Sequence, residues 1–345
     1  MISQTGTEKN LPADAGLAMP PEWALHRRTW MCWPCRAEGW DGEGGLVRAR
    51  AAYVRVARAI AAFEPVIMAT RPRDAVEARR VCGDAIKIFE VPLDDSWARD
   101  SGPTFLTGGE KAGIAWRFNA WGGKYEHYAN DAAFAARILD REKARIYRAP
   151  LVCEGGAIHT DGAGTLLATE QTLLNPNRNP ALNREQIQSR LCEFTGAKHL
   201  IWLGAGFSDI ETDGHVDNIA CFARPGQVIL GIPDKSHPDF AAVNDAKRRL
   251  TEARDAQGRA LEIVEIAQPQ RQSKDWRGRP LASSYVNFYI ANGAVIMPAF
   301  DDASDLPARA VLADCFPGRE IVAVDVRDIV EGGGGIHCIT QQEPA

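Results

Sequence analysis

The 345-residue sequence contains no run approaching the roughly 18 apolar residues that a membrane span requires. Its opening stretch, MISQTGTEKNLPADAG, is polar and lacks the apolar centre of a secretion signal. Basic charge is not in excess: Lys and Arg number 40 against 45 Asp and Glu, a net charge of −5. A nucleic-acid partner wants a basic face, so that class has no electrostatic footprint here. Nucleotide-binding signatures are missing too. No G-x-G-x-x-G follows the first strand-like stretch and no G-x-x-x-x-G-K-[ST] occurs, so no glycine cradle for phosphate is offered. Eight cysteines are too few for a disulfide scaffold in a chain of this length. The expectation is a cytoplasmic protein with reduced thiols and neither membrane nor nucleic-acid partners.

What is present is an ordinary globular balance, 45 % apolar and 25 % charged. Two cysteines, Cys32 and Cys35 in CWPC, have redox spacing, but a loop follows them where a redox pair should open a helix. Cys82, Cys153, Cys192, Cys221 and Cys315 lie inside apolar patterns and read as core thiols.

One arrangement recurs along the chain: a short apolar strand, a turn, an amphipathic helix and another strand. It runs as TWMCWP, a helix from about Leu46 to Phe63, then PVIMAT. It returns as GIAWRFNAW, a helix around Asn130 to Leu139, then ARIYRAP. The third instance is TLLATEQTLL, a helix, then KHLIWL. Its helix opens on the capping box Asn183-x-x-Gln186 and carries Ile187, Leu191 and Phe194 on one face. The fourth is QVILGIPD, a helix from about Asp239 to Ala256, then LEIVEI, and the fifth is AVIMPAF, a helix from about Leu306 to Cys315, then EIVAVDV. A further strand-like piece, such as HVDNIACF or SSYVNFYI, precedes the later units. About five ββαβ modules at a spacing near 60 residues point to radial or stacked repetition of one α/β unit.

Polar residues break the apolar pattern at four junctions: LDDSWARDSGP, CEGGAIHTDG, ETDGHVDN and the C-terminal EGGGGIHC. Asp100 to Glu154 is 54 residues, Glu154 to His215 is 61, and His215 to Cys338 is 123, about twice that. Modules set around an axis would bring such junctions to one centre, gathering carboxylates, a histidine and a thiol. A cysteine with a histidine base can run acyl transfer. A site rich in Asp and Glu suits a cationic electrophile better, above all a guanidinium, whose planar fork of donors matches carboxylates bidentately. A bound cation would also favour thiolate over thiol. Metal binding through His215, Asp217, His337 and Cys338 competes, although no H-E-x-x-H or paired ligand spacing is present. A non-catalytic module of the same architecture is the third alternative.

The stretches MPPEW, TWMCWP, DDSWARDSGPTF, NAWGGKY, EGGAIH, LLNPNRNP, GHVDNIACF and GGGGIHCITQQEP run in order from about residue 16 to the C-terminus. Together they resemble agmatine deiminase, of the wider guanidine-modifying superfamily. The resemblance implies a five-bladed α/β propeller (the pentein fold) of ββαβ modules around a central active site. Residues 16–345 would form a single catalytic domain, preceded by a disordered or extended segment over 1–15. It implies hydrolysis of agmatine to N-carbamoylputrescine and ammonia, a step of polyamine biosynthesis, without a cofactor, and a homo-oligomer, dimer or tetramer. By motif, Cys338 would be the nucleophile and His215 the general acid and base. Asp100 and Asp217 would hold the guanidinium, and Glu154 would support the histidine and the substrate nitrogens.

For the substrate amine, the acidic residues Asp94, Asp95 and Glu211 are candidates, with Trp97 or Trp121 along the tetramethylene chain. The alternative is the same chemistry on arginine, peptidyl-arginine or a methylated arginine, or amidino transfer. The sequence departs from the family's usual pattern at Gly335, where Asn is common, at Asp213, where Asn is common, and at Cys153, where an aliphatic residue is typical. His337 reads as structural, facing away from the site if its stretch is a strand, and His159 likewise.

Overall fold

A computed structural model describes residues 11–40, 44–209, 211–270, 274 and 280–345. Of the segment 1–15, residues 1–10 lie outside these, and Ala13–Ala15 form a short 3-10 turn. The sheets are small and five in number. The first contains β1 (His26–Cys32), β2 (Val66–Thr70) and β3 (Ile86–Glu90). The second is β4 (Thr104–Leu106), β5 (Ala112–Arg117) and β6 (Arg145–Val152), and the third β7 (Ile158–Thr160), β8 (Thr165–Thr169) and β9 (His199–Leu203). The fourth is β10 (Ala220–Arg224), β11 (Gln227–Ile232) and β12 (Glu262–Ala267), and the fifth β13 (Tyr289–Ala291), β14 (Ala294–Ala299) and β15 (Glu320–Asp325). The last strand, β16 (Thr340–Pro344), returns to pair antiparallel with β1.

Each sheet follows one recipe: an antiparallel edge pair, then a helical crossover to a parallel strand. Parallel neighbours cannot be joined by a tight turn, so a helix must cover the sheet face between them. The crossover helices are Gly45–Ala61, Phe134–Arg141, Arg184–Thr195, Phe240–Glu252 and Asp305–Cys315. Their apolar stripes explain the docking. Ala49, Ala52, Tyr53, Val56, Ala57 and Ile60 bury one face of the first helix at helical spacing. The expected capping box forms in the third, where Asn183 Oδ1 accepts from the Gln186 amide and Gln186 Oε1 from the Asn183 amide, both at 2.9 Å. Covered on both faces, β2 and β8 are buried along their whole length.

The five-module α/β expectation therefore holds, with two refinements. The first sheet carries an extra helix, Ala75–Cys82, and strand β3, and it takes its antiparallel edge strand from the C-terminus. The strand-like stretches HVDNIACF and SSYVNFYI are strands only toward their ends, from Ala220 and from Tyr289. Val216–Asn218 is a 3-10 turn and residues 336–339 are a turn. Among the described residues no helix is long and apolar enough to cross a membrane.

Candidate active site

One loop leads into the antiparallel edge strand of every sheet, and the polar residues that break the apolar pattern stand on those loops. Asp100 lies on the helical turn Ala98–Ser101 before β4, and Glu154 precedes the turn Gly155–Ala157 before β7. His215 and Asp217 flank and occupy the turn before β10, Asn287 stands before β13, and Cys338 before β16. The closing of the first sheet by β16 brings Cys338 beside residues more than a hundred positions earlier. Asp217 Oδ2 lies 3.7 Å from Cys338 Sγ.

The convergence is tightest around Gly156. A β-carbon there would fall 2.7 Å from His215 Nδ1, 2.8 Å from Asp217 Oδ2 and 2.9 Å from Asp100 Oδ1. Only glycine leaves that space open. The Gly156 amide donates to Asp100 Oδ1 at 3.0 Å, and the Trp121 indole N–H donates to Asp100 Oδ2 at 2.8 Å. Trp121 reaches it from a left-handed backbone, φ 54°, next to Ala120 at φ 56°. That conformation costs residues with a β-carbon on the order of 1 kcal/mol or more, and packing around the indole holds it. His215 Nε2 stands 3.5 Å from Glu154 Oε2 and its Nδ1 3.8 Å from Asp100 Oδ1. The other Glu154 oxygen accepts from Arg178 Nε at 2.7 Å. His337 Nδ1 is 2.8 Å from Asp217 Oδ2, and its Nε2 is 2.8 Å from Glu22 Oε1.

Four buried polar atoms within this cluster make no hydrogen bond: Glu154 Oε2, Asp217 Oδ1 and both ring nitrogens of His215, whose charge contacts to Glu154 and Asp100 are the longer ones above. Buried polar groups are normally paired, so two carboxylate oxygens left without a hydrogen bond beside one thiol mark a place for a donor-rich ligand. A narrow pocket leads there, lined by Trp97, Trp121, Tyr125, Glu211, the Gly332–Gly334 run and Cys338.

Charge is distributed to match. Burial pushes the His215 imidazolium toward losing its proton, but Asp100, Glu154 and Asp217 outweigh it and raise the ring to about 9. Burial likewise works against ionised Glu154 and Asp217. Arg178 and His215 more than reverse it for Glu154, and His337 does so for Asp217, so both lie below the usual carboxylate range. Asp100 is raised by burial, with Asp217 and Glu154 adding to it against His215. The Cys338 thiol is pushed well up by burial and then by Asp217 and Asp100. Without a cation the site therefore holds a thiol; a guanidinium among the carboxylates would reverse that balance.

Cys338, His215, Glu154, Asp100 and Asp217 are thus brought together as expected. Trp97, Trp121 and Glu211 line the approach. Asp94 and Asp95 do not. Both Asp94 oxygens are taken by Asn130, through its amide at 2.7 Å and its side chain at 2.9 Å, in a groove separate from the site pocket. Asp95 is buried against Arg36 at 3.2 Å. Asp213 is engaged by Lys124 at 3.0 Å and Arg178 at 2.8 Å. His337 is corrected as well: its stretch is a turn rather than a strand, so its ring touches Asp217 instead of facing away. His159 fits its structural reading, with Nδ1 accepting from the Phe222 amide at 3.2 Å. The Cys32 and Cys35 thiols are buried, the first pushed well up and the second up to about 12, the opposite of what thiol exchange needs. Among the described residues no group of three or more His, Cys, Asp and Glu is placed to hold a metal ion.

Sequence reasoning missed Asn287, Arg178 and Glu22. Asn287 had a signal, because the 123-residue gap between His215 and Cys338 is two module lengths and required a fifth junction. Its side-chain oxygen accepts from the His337 amide at 3.0 Å, and its side-chain nitrogen lies 3.3 Å from Cys338 Sγ. A β-carbon on Gly335 would come within 2.4 Å of that oxygen. Gly335 thus leaves room for an amide supplied by the fifth sheet, beside the nucleophile. Arg178 and Glu22 lay within quoted stretches, but nothing local in LLNPNRNP or MPPEW says which residue is buried.

In sequence and in fold the chain is similar to known agmatine deiminases. An agmatine deiminase of Ectopseudomonas mendocina is 44 % identical over 362 residues, covering 97 % of each chain. The solved agmatine deiminase of Enterococcus faecalis superposes with a TM-score of 0.93 at 36 % identity, over 98 % of each chain. A cysteine-to-serine variant of a C. jejuni agmatine deiminase, solved with substrate bound, gives 0.86 at 26 % identity over 95 % of this chain and 96 % of that one. The family model for Porphyromonas-type peptidyl-arginine deiminase matches residues 18–344, and the chain belongs to that family.

Proposed function

We propose that this protein hydrolyses agmatine to N-carbamoylputrescine and ammonia through a covalent intermediate on Cys338. The observation that carries the reading is the pair of carboxylate oxygens without a hydrogen bond, Glu154 Oε2 and Asp217 Oδ1, buried beside one thiol and one imidazole. A guanidinium supplies the N–H donors these oxygens lack, and its charge lowers the thiol so that the proton leaves to solvent. The Cys338 thiolate then attacks the guanidinium carbon and forms the S–C bond. His215, an imidazolium at neutral pH, protonates the departing nitrogen as the C–N bond breaks, releasing ammonia and leaving an S-alkylthiouronium. The neutral imidazole next takes a proton from water, and the hydroxide adds to the same carbon. Breaking the S–C bond frees the thiolate and the urea product, whose hydroxyl proton leaves to solvent.

At the mouth, Glu211 Oε2 accepts from the Tyr125 hydroxyl at 2.7 Å, which orients its carboxylate over the pocket. Among the described residues lining the pocket none is cationic. A free arginine would set its α-carboxylate against Glu211, whereas the agmatine ammonium finds a partner there. Ammonia release from agmatine and from arginine, measured side by side, tests the reading. Turnover of agmatine is expected, with Cys338→Ser lower by on the order of a thousandfold or more. Turnover of arginine alone would overturn the substrate, and full activity in Cys338→Ser would overturn the mechanism.

A further inference from the structure

His337 sits between two carboxylates at 2.8 Å each, Asp217 on Nδ1 and Glu22 on Nε2. A neutral imidazole has one N–H, and an ionised carboxylate only accepts. Two such contacts therefore require a proton on each nitrogen, an imidazolium. The far carboxylate is itself held ionised: Arg99 Nη1 donates to Glu22 Oε1 at 3.1 Å, and His159 Nε2 stands 3.6 Å from Oε2. The arrangement is a buried line of alternating charge, Arg99, Glu22, His337, Asp217, ending 3.7 Å from Cys338 Sγ. It fixes Oδ2 of Asp217 and leaves Oδ1 open. Asp217 shares the site with Asp100 and Glu154, and clustered carboxylates favour protonation of one member. An imidazolium behind Asp217 decides that it is not this one.

We infer that Glu22 and His337 are positioning residues for the deimination, a carboxylate–imidazolium pair that keeps Asp217 ionised and aims its free oxygen at the substrate guanidinium. Glu22 lies on the loop before β1, over 300 residues from Cys338 in sequence, so the N-terminal loop becomes part of the apparatus. The raised pKa of His337, where Glu22 and Asp217 outweigh burial and Arg99, agrees with this state. The inference rests on the guanidinium reading above.

The test is Glu22→Gln, which keeps the shape and an acceptor for Nε2 but removes the charge. Asp217 then loses its fixed counter-ion and protonates more readily. KM for agmatine is expected to rise about tenfold at pH 7 with kcat changed less, the loss deepening as pH falls toward the carboxylate range, where Asp217 now takes up a proton sooner. A merely structural role would lower activity evenly across pH; that outcome, or an unchanged profile, overturns the inference. The groups facing His337 in this comparison are Asp217, Glu22, Arg99 and His159. Should Glu22→Gln not fold, nitrogen NMR of the wild-type His337 ring, assigned through its backbone, decides at pH 8. Two protonated nitrogens support the pair and a neutral ring overturns it. That measurement stands even if agmatine is not turned over, so the two readings fail separately.

Discussion

Gly156 shows most plainly how the site depends on what a residue lacks. Its absent β-carbon would sit within 3 Å of His215, Asp217 and Asp100 at once. Gly156→Ala is expected to fold, since its backbone is outside the left-handed region, yet to lose about 100-fold or more of kcat/KM by displacing those groups. A near-normal rate with a normal melting curve would contradict the geometry. The pH profile is a second residue-level expectation. The chemistry needs thiolate and imidazolium together, one proton on the pair. In the free protein both groups hold their protons up to about 9, because His215 is raised to there and Cys338 lies higher. The active form therefore grows as pH rises, so kcat/KM should climb through pH 9 and fall only where the second proton is lost. A plateau reached by pH 7 in steady-state assays would contradict these shifts.

At the scale of elements, the turn Ala129–Ala132 carries a buried carboxyl with a measurable consequence. Burial, with Asp95 adding to it, raises Asp131 to about 7, and burial raises Asp95 to about 6. A carboxyl raised in the folded state takes up its proton more readily folded than unfolded. Stability from this pair is therefore gained as pH falls through 7 toward the unfolded value near 4, and lost as pH rises. Asp131→Asn keeps an oxygen for the Asp94 amide and should flatten the dependence of melting temperature on pH between 5 and 8. An unchanged slope would contradict it.

Elements also show how far sequence carries. The crossover helices were legible because 3.6-residue periodicity is a property of the helix itself, and so was the capping box at Asn183. The edge strands were legible only as strand-like stretches longer than the strands themselves, because only three residues of β4, β7 and β13 pair. The turns before them are held by side chains from afar, as where Asn287 accepts from the His337 amide. Site residues carried by a motif, such as His215 and Cys338, could be read. Asp94 could not be excluded from sequence, because its acidity is visible and its occupation by Asn130 is not.

For the whole molecule, closure is the decisive feature. The strand β16 seals the first sheet, and its buried Glu343 accepts from Trp30 Nε1 at 2.9 Å and from Lys111 Nζ at 2.7 Å. Across the neighbouring seam, buried Glu64 gathers His26 at 3.1 Å, Tyr289 at 2.9 Å and the Asn292 amide at 2.7 Å, tying the first sheet to the fifth. Glu343→Ala leaves the Trp30 indole N–H without its acceptor and Lys111 with Glu142 alone, at 3.0 Å, and should cost about 2 kcal/mol of unfolding free energy. Activity should fall with it, because the same strand follows Cys338. A loss below about 0.5 kcal/mol in denaturant titration would place closure elsewhere. The glycine-rich end of the chain is thus a wall of the site, held by a strand.

The most direct test of the account is mass spectrometry of the protein quenched with acid during turnover of agmatine. A fraction of chains heavier by agmatine less ammonia is expected, with the added mass on the peptide containing Cys338 and absent in Cys338→Ser. Steady turnover with Cys338 unmodified throughout, or the adduct on another residue, would contradict it.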